Sequence, residues 1–283
     1  MNLLDETKFI LKKYGIAANK GLGQNFLVNE EVVESIIESA DINKKDLVIE
    51  IGPGLGTLTS RLLEKAGKLI AVELDDRMIK ILTDRFKLYE NFELINDDIL
   101  KVNLQDLINN NIGNELKNVK IVANLPYYIT TPIIMKLLEE KLNIDSITVM
   151  IQKEVADRLS AIPGQKNAGA ITYSVYYYAE VNNITKVLRD SFIPSPNVDS
   201  EVIRLKLRDK PPVEVKNKEL LFKVIKYAFM QRRKTLVNAL ENTDLFKNKG
   251  EVLEILNKLE INEKIRGEAL TLKQFAQITN LII

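Results

Sequence analysis

The stretch Leu47-Val48-Ile49-Glu50-Ile51-Gly52-Pro53-Gly54-Leu55-Gly56 decides the fold: a β-branched run breaks on three alternate glycines, and a helical pattern over Leu58–Lys65 follows at once. Glycines directly after a strand let the backbone approach a nucleotide-like ligand in the crevice beyond the strand ends. The spacing is G-x-G-x-G, which departs from the G-x-G-x-x-G that accommodates a dinucleotide pyrophosphate. Downstream the same alternation repeats. Strand-like runs at Leu69–Glu73, Phe92–Ile95, Val119–Ala123 and Ile147–Ile151 alternate with helical stretches near Arg77–Phe86, Leu104–Ile108 and Pro132–Glu140. These are βα units, and they predict a doubly wound, Rossmann-like α/β sheet. Two further runs, Asn183–Val187 and Glu201–Leu207, frame the proline-rich turn Ile193–Pro196 and predict an antiparallel hairpin at the sheet edge.

Outside this core the pattern is helical. Leu3–Tyr14 reads as an amphipathic helix stopped at Gly15, and Asn29 stands where the N-cap of a second helix belongs. Beyond Arg208 a Lys-Pro-Pro stretch breaks the pattern, and Lys218–Phe229, Gln231–Leu240, Lys249–Lys258 and Leu272–Leu281 read as short helices. The expected organisation is a cofactor-binding domain over 1–207, with an N-terminal helical extension, and a small all-helical domain over 208–283.

Composition narrows the chemistry. The 283 residues are 46% hydrophobic and include no cysteine and no histidine, which removes thiolate nucleophiles, Ser-His-Asp and Cys-His catalysis and the usual zinc ligand sets. A reaction that survives this loss is one whose cofactor supplies the reactive group, and no metal is expected. No apolar run reaches membrane-spanning length and the start carries Asp5 and Glu6, so the expected location is the cytoplasm, with no membrane partner. The net charge of +1 is unevenly spread: 1–25 hold four basic and two acidic side chains, 26–202 hold 19 and 27, and 203–283 hold 17 and 10. Basic ends around an acidic middle suit RNA-gripping attachments on a cofactor domain, although a solvated surface explains the same charge equally well.

Three strand ends carry candidate ligands. Glu73 can accept from both hydroxyls of a ribose, and Asp98 is placed to accept from an adenine amine. The plain alternative is that they cap the following helices, through Asp75, Asp76 or Asn103 nearby. The fourth strand ends in Asn124-Leu125-Pro126-Tyr127. The exocyclic amine of adenine is a poor nucleophile because its lone pair is delocalised into the ring, and acceptors that hold the amine out of conjugation correct this. The Asn124 side-chain oxygen and the Pro126 carbonyl can each accept one N–H, while Tyr127 stacks on the base, a contact worth about 1–3 kcal/mol. No strong base is needed, since the proton turns acidic only after the nitrogen is alkylated.

Gly23-Gln24-Asn25-Phe26-Leu27, the Glu50–Gly56 loop, Glu73-Leu74-Asp75, Asn124–Tyr127, Gln152–Leu159, Phe192–Ser200 and Gln231–Leu236 resemble, in order and spacing, the ribosomal RNA adenine dimethyltransferases, chiefly their small-subunit branch. The resemblance spans nearly the whole chain and implies a class I methyltransferase sheet using S-adenosyl-L-methionine. It implies cofactor contacts at Asn25, Leu27, Gly52, Glu73, Asp98 and Asn124, with Gly54 in the same loop. Asn124 and the Pro126 carbonyl would grip the target amine, and Tyr127 and Phe192 would sandwich the base. The implied partner is small-subunit ribosomal RNA within an assembling 30S particle, where two adjacent adenosines near the 3′ end are each dimethylated at N6. A monomer is expected. Arg232, Arg233 and Lys234, read as one helix turn, would hold RNA backbone.

Asn19–Leu22, Tyr128, Ala168 and Val237 depart from the family pattern and are expected to tune RNA docking rather than chemistry. Three rivals stand beside this reading: a large-subunit adenine methylase conferring antibiotic resistance, a non-catalytic rRNA-binding assembly factor, and a nicotinamide dehydrogenase on a similar sheet.

Overall fold

The computed structural model describes residues 2–113, 115–140, 142–231 and 233–282. In chain order the elements are α1 (Leu3–Tyr14), β1 (Phe26–Leu27), α2 (Glu30–Ala40), β2 (Asp46–Ile51), α3 (Thr57–Lys65), β3 (Lys68–Glu73), α4 (Asp76–Phe86), β4 (Phe92–Asn96), α5 (Leu104–Asn109), β5 (Asn118–Asn124), α6 (Thr130–Glu139), β6 (Ser146–Gln152) and α7 (Lys153–Leu159). There follow α8 (Ala170–Tyr178), β7 (Ala179–Val187), β8 (Phe192–Ile193), β9 (Ser200–Leu207), α9 (Lys218–Met230), α10 (Leu236–Leu240), α11 (Lys249–Lys258) and α12 (Leu272–Ile282). Every predicted strand of the α/β core is present, each within a residue or so of its expected bounds. Two local signals act as read. Gly15 closes α1 in the left-handed conformation at φ 64°, and the Asn29 side chain accepts from Val32 N to open α2.

Seven strands form one sheet in the order β4-β3-β2-β5-β6-β9-β7. The first five pair in parallel, β9 runs antiparallel to β6, and β7 occupies the edge beside β9, where the hairpin was expected. Strand order reverses at β2: the chain builds outward through β3 and β4, then returns to place β5 on the other side of β2. The switch point is therefore flanked by the glycine loop after β2 and the Asn-Leu-Pro-Tyr turn after β5, the position where open α/β sheets bind ligands. Gly56, at φ 87°, starts α3 without a side-chain cap, and a Cβ there would lie 2.5 Å from the Phe86 ring. It lets α3 and α4 pack closely beneath the loop.

The far end of the same two strands is fastened by a buried ion pair. Asp46 opens β2, fully buried, and Lys120 of β5 reaches its Oδ2 at 2.9 Å. Asn118 Nδ2 donates to Oδ1 at 2.8 Å and Asn43 N to Oδ2 at 2.8 Å. Burial pushes this carboxyl up, but the hydrogen bonds from Asn118, Lys120 and Asn43 outweigh it and hold the pKa below the usual range.

The chain divides into two compact units, residues 1–156 with 182–207, and residues 157–181 with 208–283. The expected boundary at 207/208 thus misplaces 157–181. Helix α8 carries Tyr173 and Tyr177, whose rings join Val224, Leu236 and Phe275 in the core of the second unit; Tyr173 lies edge-on to Phe275 with ring centroids 5.1 Å apart. Burying these aromatic faces requires helical partners that arrive only after residue 208.

The same core corrects three further expectations. Ala168 and Val237 are both buried in it, so these departures serve packing and do not face a partner. The helix expected over Gln231–Leu240 is only α10, because Thr235 caps it by accepting from Asn238 N, and the chain at Arg233 and Lys234 is a turn held by Lys234 N donating to Gln231 O at 2.8 Å. Arg233 and Lys234 are exposed there, and Arg232 lies outside the described residues.

Lys120→Met is expected to destabilise the protein by about 3–5 kcal/mol, because it leaves a buried carboxylate without its counter-charge. Adding Asp46→Asn should restore most of that loss, as read by urea unfolding at neutral pH. For Asp46 itself the sign follows its depressed pKa: its contribution is present above the unfolded value of about 3.8 and is lost as pH falls through the lower folded one.

Candidate active site

Strand pairing brings the expected residues together. Ile51 sits opposite Ala123 in the β2–β5 register, so both chains leave the sheet side by side, into the glycine loop and into Asn124. Between them and the end of β3 lies an open cavity of about 1100 Å³. Asn25, Leu27, Gly52, Gly54, Glu73, Asp98, Asn124, Pro126, Tyr127 and Phe192 all line it. Gly52 has φ 65° and a Cβ built on it meets nothing within 4 Å, so the loop presents bare backbone to open space.

Glu73 is buried at the end of β3. Its Oε2 accepts from Gly54 N at 3.0 Å and its Oε1 from Asp75 N at 2.9 Å. A carboxylate has about four acceptor positions, so these bonds leave room for a ribose hydroxyl. Burial, opposed by those backbone hydrogen bonds, leaves its pKa raised. Helix capping falls to its neighbours: Asp75 caps α4 by accepting from Arg77 N, and Asn103 caps α5. Asp98 is half-buried and uses Oδ1 to accept from Leu100 N at 3.0 Å, with Oδ2 left over.

The N-terminal segment closes the cavity from the side. Asn124 Nδ2 donates to the carbonyl of Asn25 at 3.4 Å, which leaves Oδ1 of Asn124 as the free acceptor. Gln24 Nε2 donates to Asp75 Oδ2 at 2.8 Å, and Gly23 packs against Tyr128, the exposed second tyrosine of the turn. Leu27 is buried and pairs with Phe192 in the two-stranded β1–β8 ribbon.

Two expectations change here. The Pro126 carbonyl accepts from Ile129 N at 3.2 Å and from Thr130 Oγ1 at 3.1 Å, so both its lone pairs serve the start of α6. The Leu125 carbonyl, one residue earlier, receives no hydrogen bond among the described residues and Leu125 also lines the cavity. Of the two carbonyls at this turn, that of Pro126 is engaged by the start of α6 and that of Leu125 is not. Phe192 is only 3% exposed and belongs to the core of its unit as well as to the lining, so it is a wall of the slot and not an open platform.

Glu50 is the functional residue the sequence reading passed over. Its carboxyl lies at the end of β2, 1% exposed, lines the cavity and accepts from Thr59 Oγ1 at 2.7 Å. Burial pushes it up to about 8, against the Thr59 hydrogen bond and helped by the negative charge of Glu73. The spacing to Thr59 on the next helix was the available signal. With Glu50, the lining has four carboxyls, Glu50, Glu73, Asp97 and Asp98, and no lysine or arginine among the described residues. Such a cavity repels a dinucleotide pyrophosphate and suits S-adenosylmethionine, which carries a sulfonium and an ammonium. This charge weighs with the glycine spacing against the dehydrogenase reading.

The sequence profile of the family described as "Ribosomal RNA adenine dimethylase" matches residues 15–283. The chain belongs to the ribosomal RNA adenine dimethylase family. It is 47% identical over 276 residues to the ribosomal RNA small subunit methyltransferase A of Clostridioides difficile, covering 98% of this chain and 94% of the relative. The crystal structure of a dimethyladenosine transferase from Plasmodium falciparum superposes with a TM-score of 0.74 at 29% identity, covering 89% of this chain and 95% of that one. The 23S rRNA methyltransferase ErmE superposes at 0.67 with 24% identity, covering 90% and 98%, and shows the shared fold. As a member of the dimethylase family the chain is an rRNA adenine methyltransferase with S-adenosyl-L-methionine as methyl donor. Among the described residues no helix is long and apolar enough to cross a membrane.

The raised Glu50 carboxyl has a pH signature. Its folded pKa of about 8 exceeds the unfolded 4.5, so the folded chain keeps a proton the unfolded chain has released. Stability of the cofactor-free protein is therefore full below the lower value and falls as pH rises through that window, by up to about 1.4 kcal/mol per unit. Glu50→Gln, which keeps the shape without the charge, is expected to flatten that decline in urea unfolding; an unchanged slope would place its origin elsewhere.

Proposed function

We propose that this protein dimethylates N6 of two adjacent adenosines near the 3′ end of small-subunit ribosomal RNA, acting as a cytoplasmic monomer on the assembling 30S particle. The observation that carries the chemistry is the free Oδ1 of Asn124 at the end of β5, on the cavity that Gly52 also lines, with the unengaged Leu125 carbonyl next to it in the chain. The small-subunit substrate is supported by relatives 45–49% identical along nearly the whole chain, all named ribosomal RNA small subunit methyltransferase A. The likeness to ErmE is one of fold and does not favour the large-subunit reading.

When bound, S-adenosylmethionine supplies an electrophilic methyl group on a sulfonium. Asn25, Leu27, Gly52, Gly54, Glu73, Asp98 and Asn124 would hold it, with Glu73 accepting from its ribose and the carboxylates of the lining opposing its positive charge. The Asn124 Oδ1 and the Leu125 carbonyl accept the two N–H groups of the target amine and turn its lone pair out of conjugation. Tyr127 stacks on one face of the adenine, and Phe192 borders the other. Positioning of this kind supplies most of the rate. No side chain serves as a strong base, in keeping with a chain that has no histidine. The adenine must be unpaired or flipped out to enter. The exposed Arg233 and Lys234 of the second unit would grip RNA backbone, together with Arg232.

The test is transfer of a labelled methyl group to small subunits lacking the modification, followed by nucleoside analysis. Asn124→Ala is expected to lower transfer by about 10²–10³-fold or more, as for loss of a preorganised polar contact to the reacting group, while binding to the particle persists. Undiminished turnover would defeat the amine-holding role. Labelling of large-subunit RNA instead would move the protein to the other branch of the family.

A further inference from the structure

We propose that Ser200 is a positioning residue: its hydroxyl holds the Tyr127 ring in the attitude needed to stack on the target base, and so spaces that ring from the loop bearing Phe192. The inference rests on the reading of Tyr127 as a stacking face given above.

The Tyr127 and Ser200 hydroxyls are 2.7 Å apart. Ser200 is fully buried and opens β9 in register with Gln152 of β6, so its own position is set by the sheet. Its neighbour Asp199 is anchored three ways. Lys186 Nζ reaches its Oδ2 at 3.0 Å, Arg189 N donates to its Oδ1 at 3.2 Å, and its carbonyl accepts from Lys153 N at 3.0 Å. Tyr127, by contrast, is half-buried in a loop between β5 and α6, with one end in protein and the rest on the cavity.

A phenol oxygen lies on the long axis of its ring. A bond to it therefore fixes where that axis points, a choice otherwise made among χ1 rotamers, and leaves rotation about the axis to packing. Burial and the nearby Asp199 charge push the Tyr127 phenol up against the opposing Ser200 bond, so it keeps its proton at neutral pH. Ser200 also ends the same segment that Phe192 begins, and Phe192 is pinned by its pairing with Leu27. The hydroxyl pair thus joins the turn that carries one wall of the slot to the loop that carries the other. A slot of fixed width suits a planar base and makes the Tyr127–Ser200 bond part of productive geometry, where small displacements are costly in rate.

The experiment uses the full chain, unmethylated small-subunit particles and labelled S-adenosylmethionine, with Ser200→Ala, Tyr127→Phe, the double variant and Tyr127→Leu. Ser200→Ala and Tyr127→Phe should each lower kcat/KM for the particle by about three- to tenfold, the worth of one ordinary hydrogen bond. Because they cut the same bond, the double variant should be no worse than either. Cofactor affinity by calorimetry should match wild type, and the thermal midpoint should fall by no more than the loss of one hydrogen bond, equally in either single variant. Wild-type turnover in Ser200→Ala, losses that multiply in the double variant, or a Ser200→Ala variant that also loses cofactor affinity would each overturn the proposal. Full activity in Tyr127→Leu would instead remove the stacking reading, and the proposal with it.

Discussion

Parallel pairing of β2 with β5 across the point where strand order reverses is the constraint on which everything else depends. It brings together two turns that are far apart in sequence and otherwise have no reason to meet. Its lower end is held by a carboxylate and an ammonium inside the protein, an arrangement whose value lies in register as much as in energy, since a slipped strand would strand both charges without partners. At the upper end the same register sets bare glycine backbone beside an asparagine amide. A rigid ladder below and irregular backbone above divide the labour: the sheet fixes positions, and the loops carry polar groups that ligands can use.

The electrostatics of the cavity follow from what surrounds it. Four carboxyls and no basic side chain line it among the described residues, while exposed basic groups such as Arg233 and Lys234 lie in the second unit. One nearly neutral chain thus carries a carboxyl-lined cavity in its first unit and exposed basic side chains in its second. The near-zero net charge conceals both. Keeping phosphates away from a carboxyl-lined slot also means that only a neutral nucleobase need enter it.

Much of this was legible in the residues. Alternating strand and helix periods, the glycine spacing and Asn124–Tyr127 each carry their own physical reason, and they appear in the structure where they were expected. What was not legible depended on hydrogen bonds that only a folded chain displays. Pro126 and Leu125 each offer a carbonyl at the same turn, and only the start of α6 decides which one is consumed. Glu50 reads as one more strand residue until burial is known. Helix α8 is apolar on every side, so its pattern does not say which core it belongs to, and a linear reading assigns it to the nearest domain. The run at Arg233 looks helical by composition, but a capping threonine two residues later begins the helix there instead.

The β1–β8 ribbon bears on how the molecule comes to be. Phe26 and Leu27 find their partners only at Ile193 and Phe192, and every strand of the large sheet except β9 lies between them in sequence. Contacts of such long range form late, because the closure entropy of the intervening chain must first be offset by other structure. On a growing nascent chain, the cofactor-facing segment made near the beginning must wait, unpaired, until the penultimate strand has emerged. The five parallel strands can be paired while the pocket is still open on one side, so the pocket is completed only after the scaffold that carries it.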